Sequence, residues 1–184
     1  MPFKEGRIIQ TFILKGKKVV FRYPKRSDVD DFLRHINSLV EEKAFIIRQT
    51  KVTKNQEKKR LVKALEDMKK GYQIQICIEV DGKFAGSSEV IRRPEVGVNH
   101  TAKIAITLSK EFRGLGIGTK LLETMEGLAR KKGIKVLELL CYEHNITALH
   151  VYEKAGFTEI GRVPMGLKHY GNHCSRIVMA KVLK

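Results

Sequence analysis

Three glycines alternate in the stretch Arg113-Gly114-Leu115-Gly116-Ile117-Gly118-Thr119, just after an apolar run ending at Leu108 and just before apolar residues at helical spacing. Glycines in alternation let the backbone reach conformations closed to other residues and leave no Cβ in the way of a ligand. Their N–H groups and the free N–H groups of a starting helix would converge on one point, and the helix dipole adds positive potential there. That is the chemistry of a phosphate or pyrophosphate cradle. Arg113 and Lys120 add charge beside it.

Two phosphate-binding patterns fit this loop badly. A Walker loop ends Gly-Lys-Ser/Thr, whereas here Thr119 precedes Lys120. A dinucleotide fingerprint spaces its glycines G-x-G-x-x-G, and Gly114, Gly116 and Gly118 are spaced two and two. Glu138 falls about where a ribose-binding acid would, but inside a strand run rather than at its end. A second constellation lies downstream. Asn145 and Tyr152 are seven residues apart in a short helical pattern, which puts them on one helix face two turns from each other.

These residues need positioning elements, and the chain supplies them in a clear order. Residues 1–17 read as an arm or extra strand. Lys18 to Tyr23 alternates as a strand stopped by Pro24, and Ser27-Asp28 caps a helix carrying Val29, Phe32, Leu33, Ile36, Leu39 and Val40. Thr53 with Gln56 forms a capping-box pattern that opens a second helix, which Gly71 stops. Two strands flank the hairpin signal Asp81-Gly82, and a third runs from Thr101 to Leu108. A helix, the dense apolar strand 135–141, the helix from Asn145 and two terminal strands follow. The expectation is one mixed α/β domain over 18–184.

Together the motifs resemble the GNAT superfamily of acetyl-CoA-dependent N-acetyltransferases. Arg113-x-x-Gly116-x-Gly118 fits its Q/R-x-x-G-x-G/A signature, and Asn145-Ile-Thr-Ala148-Leu-His-Val-Tyr152-Glu-Lys-Ala-Gly156-Phe157 is similar to its N-x-x-A-x-x-x-Y-x-x-x-G-F pattern. The element order is also the family order. The resemblance implies a mostly antiparallel central sheet, about four flanking helices, and two strands that splay apart near Leu108 and Cys141. It implies that backbone of Ile106, Thr107 and Leu108 holds the pantetheine arm of acetyl-CoA. The amides of Gly114, Leu115, Gly116, Ile117, Gly118 and Thr119 would hold the pyrophosphate, and Arg113 belongs to the same cofactor-binding loop. Asn145 would contact the cofactor arm, and Tyr152 would protonate the leaving thiolate. For the proton acceptor, Glu89 on its strand and His100 before the Thr101 strand are candidates. The turn His169-Tyr170-Gly171 lies where relatives close the acceptor site.

The chain carries a formal net charge of +16, spread without a block of like charges. Such a field suits a phosphate-rich cofactor, a polyanion such as RNA, or a thermophilic surface. The three cysteines form no paired motif, and His169, His173 and Cys174 lack the spacing of a metal set, so no metal is expected. No apolar run is long enough to span a bilayer, and the first residues lack a signal-peptide core, which gives a cytoplasmic expectation. The favoured function is acetyl transfer to a small amine or amino acid, with a homodimer as the family's common assembly. The alternatives are a protein or peptide N-terminal acetyltransferase, and a non-catalytic CoA- or RNA-binding module.

Overall fold

The computed structural model describes residues 3–184. The strands are β1 (Ile8–Leu14), β2 (Lys17–Arg22), β3 (Gln73–Val80), β4 (Lys83–Arg92), β5 (Thr101–Leu108), β6 (Val136–Tyr142), β7 (Thr158–His169) and β8 (Asn172–Val182). The helices are α1 (Val29–Glu41), α2 (Lys54–Lys70), α3 (Ile117–Lys131) and α4 (Ile146–Lys154). All eight strands join one sheet in the order β1-β2-β3-β4-β5-β6-β8-β7. This is the mostly antiparallel sheet with four helices that the sequence led us to expect.

One joint differs from the rest. β5 and β6 run parallel and pair only from Thr101 to Lys103 against Val136 to Glu138. Beyond those three pairs each strand stays paired on its outer side alone, β5 with β4 as far as Leu108 and β6 with β8 as far as Tyr142. The two strands therefore part, leaving the inner edges of residues 104–108 and 139–142 facing each other across a gap.

Alternation along β3 sorts the helices onto two faces. Ile74, Ile76 and Ile78 join the larger core with Leu121, Leu122, Met125 and Ala129 of α3. Cys77, pointing the other way, packs with Phe32 of α1 and Leu61 and Leu65 of α2. The start of α1 differs from its sequence expectation. Asp28 occupies the N-cap position but makes no side-chain capping bond. Its carboxylate instead accepts from Arg22 Nη1 at 2.7 Å and from the Lys25 amide at 2.8 Å. Arg22 also holds Glu79 at 2.6 Å, so buried charge pins α1 to the sheet. The second helix follows its local signals. Thr53 and Gln56 form the reciprocal capping box, and Gly71 ends α2 at φ 81°.

β4 must come very close to the end of β5. Gly86 lies opposite Leu108, and a Cβ on it would stand 2.2 Å from the Thr107 carbonyl oxygen. The terminal strands β7 and β8 form a long hairpin. Register irregularities at Glu159/Gly161 and Val163/Leu167 let the strand run past Pro164 to His169. A bulge admits proline because it leaves a ladder position without a required N–H donor.

Candidate active site

The glycine loop turns from the end of β5 into α3, and Gly114 and Gly116 both take positive φ, 72° and 88°. Gly116 is the N-cap of α3 and has no side chain with which to cap it. Among the described residues no protein atom accepts a hydrogen bond from the amides of residues 114–119, the first bond in the turn being Lys120 N to Gly116 O at 3.3 Å. Six unsatisfied donors at a helix start suit a pyrophosphate. The side-chain space fits as well. A Cβ at Gly114 would meet nothing within 4 Å, and one at Gly118 would touch only Val151 Cγ1 at 3.7 Å.

The two cations assigned to this loop from sequence are otherwise engaged. Arg113 donates from Nε to the Leu108 carbonyl at 2.9 Å and pairs with Glu42 just past α1. It thus clamps the end of β5 rather than pointing into the cradle. Lys120 pairs with Glu123 at 2.9 Å. Lys15 was not anticipated. It reaches the loop from the β1–β2 turn and donates to Gly114 O at 2.8 Å.

Asn145 caps α4, its Oδ1 accepting from the Ala148 amide at 3.3 Å. Tyr152 lies two turns along, half-buried, its ring edge-on to Phe157. No described residue hydrogen-bonds its hydroxyl. Burial, helped by the nearby Cys141, raises the phenol well above its usual range and keeps it protonated.

On the opposite face of β5 lies a cavity of about 160 Å³, lined from α1, α2, β3, β4 and β5. Glu89 faces into it beside Ala105, its register partner on β5. Gln73 Nε2 donates to the Glu89 carboxylate at 3.0 Å. Burial raises the Glu89 pKa, Arg60 acts against that shift, and Glu57 adds to it. Gln75, 2% exposed, turns a side-chain oxygen into this region with no hydrogen-bond partner. Arg60 is taken up by Glu57 at 2.6 Å and lies over the Phe32 ring. Arg48, on the loop after α1, lines the cavity with no ion-pair partner among the described residues.

His35 also lines this cavity, and the sequence reading missed it, although its place in the apolar spacing between Phe32 and Leu39 was a signal. It is 6% exposed. Its Nε2 lies 2.9 Å from Thr107 Oγ1 and its Nδ1 2.9 Å from Ser109 Oγ. Burial, then the charges of Arg113 and Arg60, lower its pKa to about 4. A neutral imidazole therefore fixes the end of β5 from α1.

His100 lies elsewhere. It precedes the first residue of β5, and its carbonyl accepts from Lys135 N at 2.7 Å. That end of β5 carries the short parallel ladder, so the length of the strand separates His100 from the cavity. Its imidazole is not brought to the site.

The turn after β7 closes over the α1–α2 loop. Tyr170 hydroxyl donates to Val40 O at 2.8 Å, Tyr142 hydroxyl to Ile46 O at 3.0 Å, and Phe45 stacks on His169 with centroids 4.8 Å apart. His169 is thereby part of an aromatic wall holding the loop that carries Arg48. Among the described residues no group of three could hold a metal ion, and no helix is long and apolar enough to cross a membrane. A wider depression of about 500 Å³ among Arg130, Ile160 and Lys181 contains none of these residues.

The sequence profile of the Acetyltransferase (GNAT) family matches residues 38–157, which include the glycine loop, Glu89 and Tyr152. The chain belongs to that family. Among its relatives, Bacillus subtilis YwnH, provisionally named a phosphinothricin acetyltransferase, is 36% identical over 66 residues, covering 36% of this chain and 40% of that one. An L-methionine sulfoximine/L-methionine sulfone acetyltransferase of Pseudomonas aeruginosa is 25% identical over 104 residues, or 56% of this chain and 60% of its own. The chain thus spans about half the length of these curated relatives. In fold, it is similar to RimL, a ribosomal L7/L12 α-N-protein acetyltransferase solved with coenzyme A, at TM-score 0.82 and 19% identity, covering 96% and 98% of the two chains.

A bulky residue in the GNAT loop should cost affinity for the cofactor. Gly118→Val would place branched carbons between the loop amides and Val151, and we expect the CoA dissociation constant to rise at least about tenfold, or ~1.4 kcal/mol. Gly127→Ala on α3, where a Cβ meets nothing within 4 Å, serves as the control. Calorimetry giving equal affinities for both variants and the parent would overturn the cradle assignment.

Proposed function

We propose that this protein transfers an acetyl group from acetyl-CoA to the amine of a small acceptor that also carries an anionic group, an amino acid being the simplest case. The observation that carries the reading is the parting of β5 from β6. The phosphate cradle and the Tyr152 helix serve one side of the gap, and the cavity with Glu89 borders β5 from the other. A thioester lying in that gap would meet an acceptor in the cavity.

The bound thioester supplies an activated acyl carbon. Ile106 to Leu108 would align its arm by backbone hydrogen bonding, as an added strand does. The loop amides would hold the pyrophosphate, and Asn145 would fix the start of the helix that carries Tyr152. The acceptor nitrogen must be neutral to attack, and Glu89, ionised, takes the proton it loses. As the new C–N bond replaces the C–S bond, Tyr152 gives its proton to the departing sulfur. Glu89 regains its charge and Tyr152 its proton by exchange with water, so charge and protons balance.

A cavity of about 160 Å³ suits a small acceptor. The orphan Gln75 oxygen can accept from an amine N–H, and unpaired Arg48 can meet a carboxylate. The relatives named for methionine sulfoximine point the same way, since that compound is an amino-acid derivative. Likeness to a ribosomal-protein acetyltransferase rests on fold alone.

The test is thiol release from acetyl-CoA with amino acids, their decarboxylated amines and short peptides as acceptors. Amino acids should be preferred. Preference for the peptides would transfer the reading to N-terminal acetylation, and no release with any amine would remove the transferase reading. Glu89→Gln should lower kcat/KM by about 10²-fold, the typical worth of a positioned base. The parent's rate should fall as pH drops through the raised Glu89 pKa, because protonation removes the base. The variant should lose that limb, and an unchanged pH profile would exclude Glu89 as the base.

A further inference from the structure

β1 and β2 form a hairpin whose turn, Lys15-Gly16, is closed by the pair Leu14 and Lys17. That hairpin is fastened along the cofactor helix. Thr124 Oγ1 on α3 donates to Gln10 Oε1 at 3.1 Å. Leu14 Cδ2 stands 3.7 Å from where a Gly116 Cβ would be. Lys15 Nζ donates to Gly114 O at 2.8 Å.

The turn residue is itself unusual. Lys15 has φ 49° and Gly16 φ 77°, the left-handed pair of a tight hairpin turn, in which Asn or Asp is the common first residue. The equivalent turn at Asp81-Gly82 follows that habit, with φ 50° and 78°. There the Asp81 carboxylate accepts from the Lys18 amide of the neighbouring strand β2 at 2.9 Å. The Lys15 side chain likewise leaves its own turn, and it reaches the glycine loop.

Charge accounting singles out the same residue. Among the cations already described at the loop, Arg113 is neutralised by Glu42 and Lys120 by Glu123. Lys15 has no carboxylate partner among the described residues, its one bond being to a carbonyl. An ammonium has three donors, so two remain for an anion.

We propose that the N-terminal hairpin is part of the cofactor site and that the Lys15 ammonium binds a phosphate group of CoA. The inference rests on the acetyl-CoA reading above. Either the pyrophosphate or the 3′-phosphate of CoA offers the same oxygen chemistry to a lysine, and the two are separable by ligand.

The experiment is calorimetric titration of the full chain with CoA and with 3′-dephospho-CoA, at about 0.05 and 0.5 M salt. The parent, Lys15→Met and Lys15→Arg are compared. Lys15→Met should bind CoA about tenfold more weakly at low salt, as expected for loss of a charge-assisted contact. High salt should shrink that difference, and Lys15→Arg should recover most of the affinity. A difference that disappears with 3′-dephospho-CoA assigns Lys15 to the 3′-phosphate, and one that persists assigns it to the pyrophosphate. The inference is overturned if Lys15→Met binds CoA within twofold of the parent. It is equally overturned if the loss is the same at both salt concentrations and in Lys15→Arg, which would mark a tether for the hairpin. Failure of the parent itself to bind CoA would remove the acetyl-CoA reading instead.

Discussion

Tyr152→Phe is expected to lower kcat by about 10²-fold, the lower end of what a positioned proton donor contributes, while leaving the dissociation constant for CoA within about twofold. The expectation separates two roles of one side chain. The ring packs edge-on against Phe157 and belongs to the core, and phenylalanine keeps that packing. The hydroxyl has no bond to any described residue, so removing it leaves no protein group orphaned. A stability loss of more than about 1 kcal/mol would therefore be surprising on physical grounds. Burial keeps the phenol protonated, which is the state a donor to a thiolate needs. Steady-state kinetics with calorimetric CoA binding decides the matter. Full turnover in the phenylalanine variant would return Tyr152 to a purely structural role.

The second large effect is on folding. Gly86→Ala should destabilise the protein by about 3 kcal/mol or more, in the class of substitutions that force backbone apart. The added methyl would sit 2.2 Å from Thr107 O and 3.0 Å from Leu108 Cα, both fixed backbone atoms rather than the ends of flexible side chains. β4 or β5 must move, and the movement falls on residues proposed to hold the cofactor arm. For a chain of this size each kcal/mol lowers Tm by roughly 2–4 °C, so a fall of about 6–12 °C or more is expected. Thermal unfolding measures it. A variant within about 1 kcal/mol of the parent would mean that β4 can withdraw from β5 without cost.

The sequence was most legible where function depends on neighbours in the chain. The glycine loop, the Asn145 cap and Tyr152 on the same helix are written within short windows, as is the capping box of α2. The proposed acceptor side is written across the chain. Gln75, Glu89, Arg48 and His35 come from three elements and a loop, and only strand register and helix docking bring them together. No spacing rule places His35 beside Thr107, 72 residues on. For the same reason Arg113, assigned to phosphate from its place in a motif, turned out to be clamped by Glu42, 71 residues away. His100 illustrates the converse. It is adjacent in sequence to the right strand, but at the wrong end of it, and a strand of eight residues is long enough for that to matter.

The eight strands do not behave as one uniform sheet. β1 to β5 form an antiparallel leaf of five strands, β6, β8 and β7 a leaf of three, and the spine between them is three residue pairs long. Like pages bound at one end, the leaves share no rung beyond Lys103 and Glu138, and at the far end side chains hold them, Tyr142 hydroxyl to Ile46 O and Tyr170 hydroxyl to Val40 O. A molecule that enters the free margin lies between backbone of both leaves. The sheet is thus finished by what it holds.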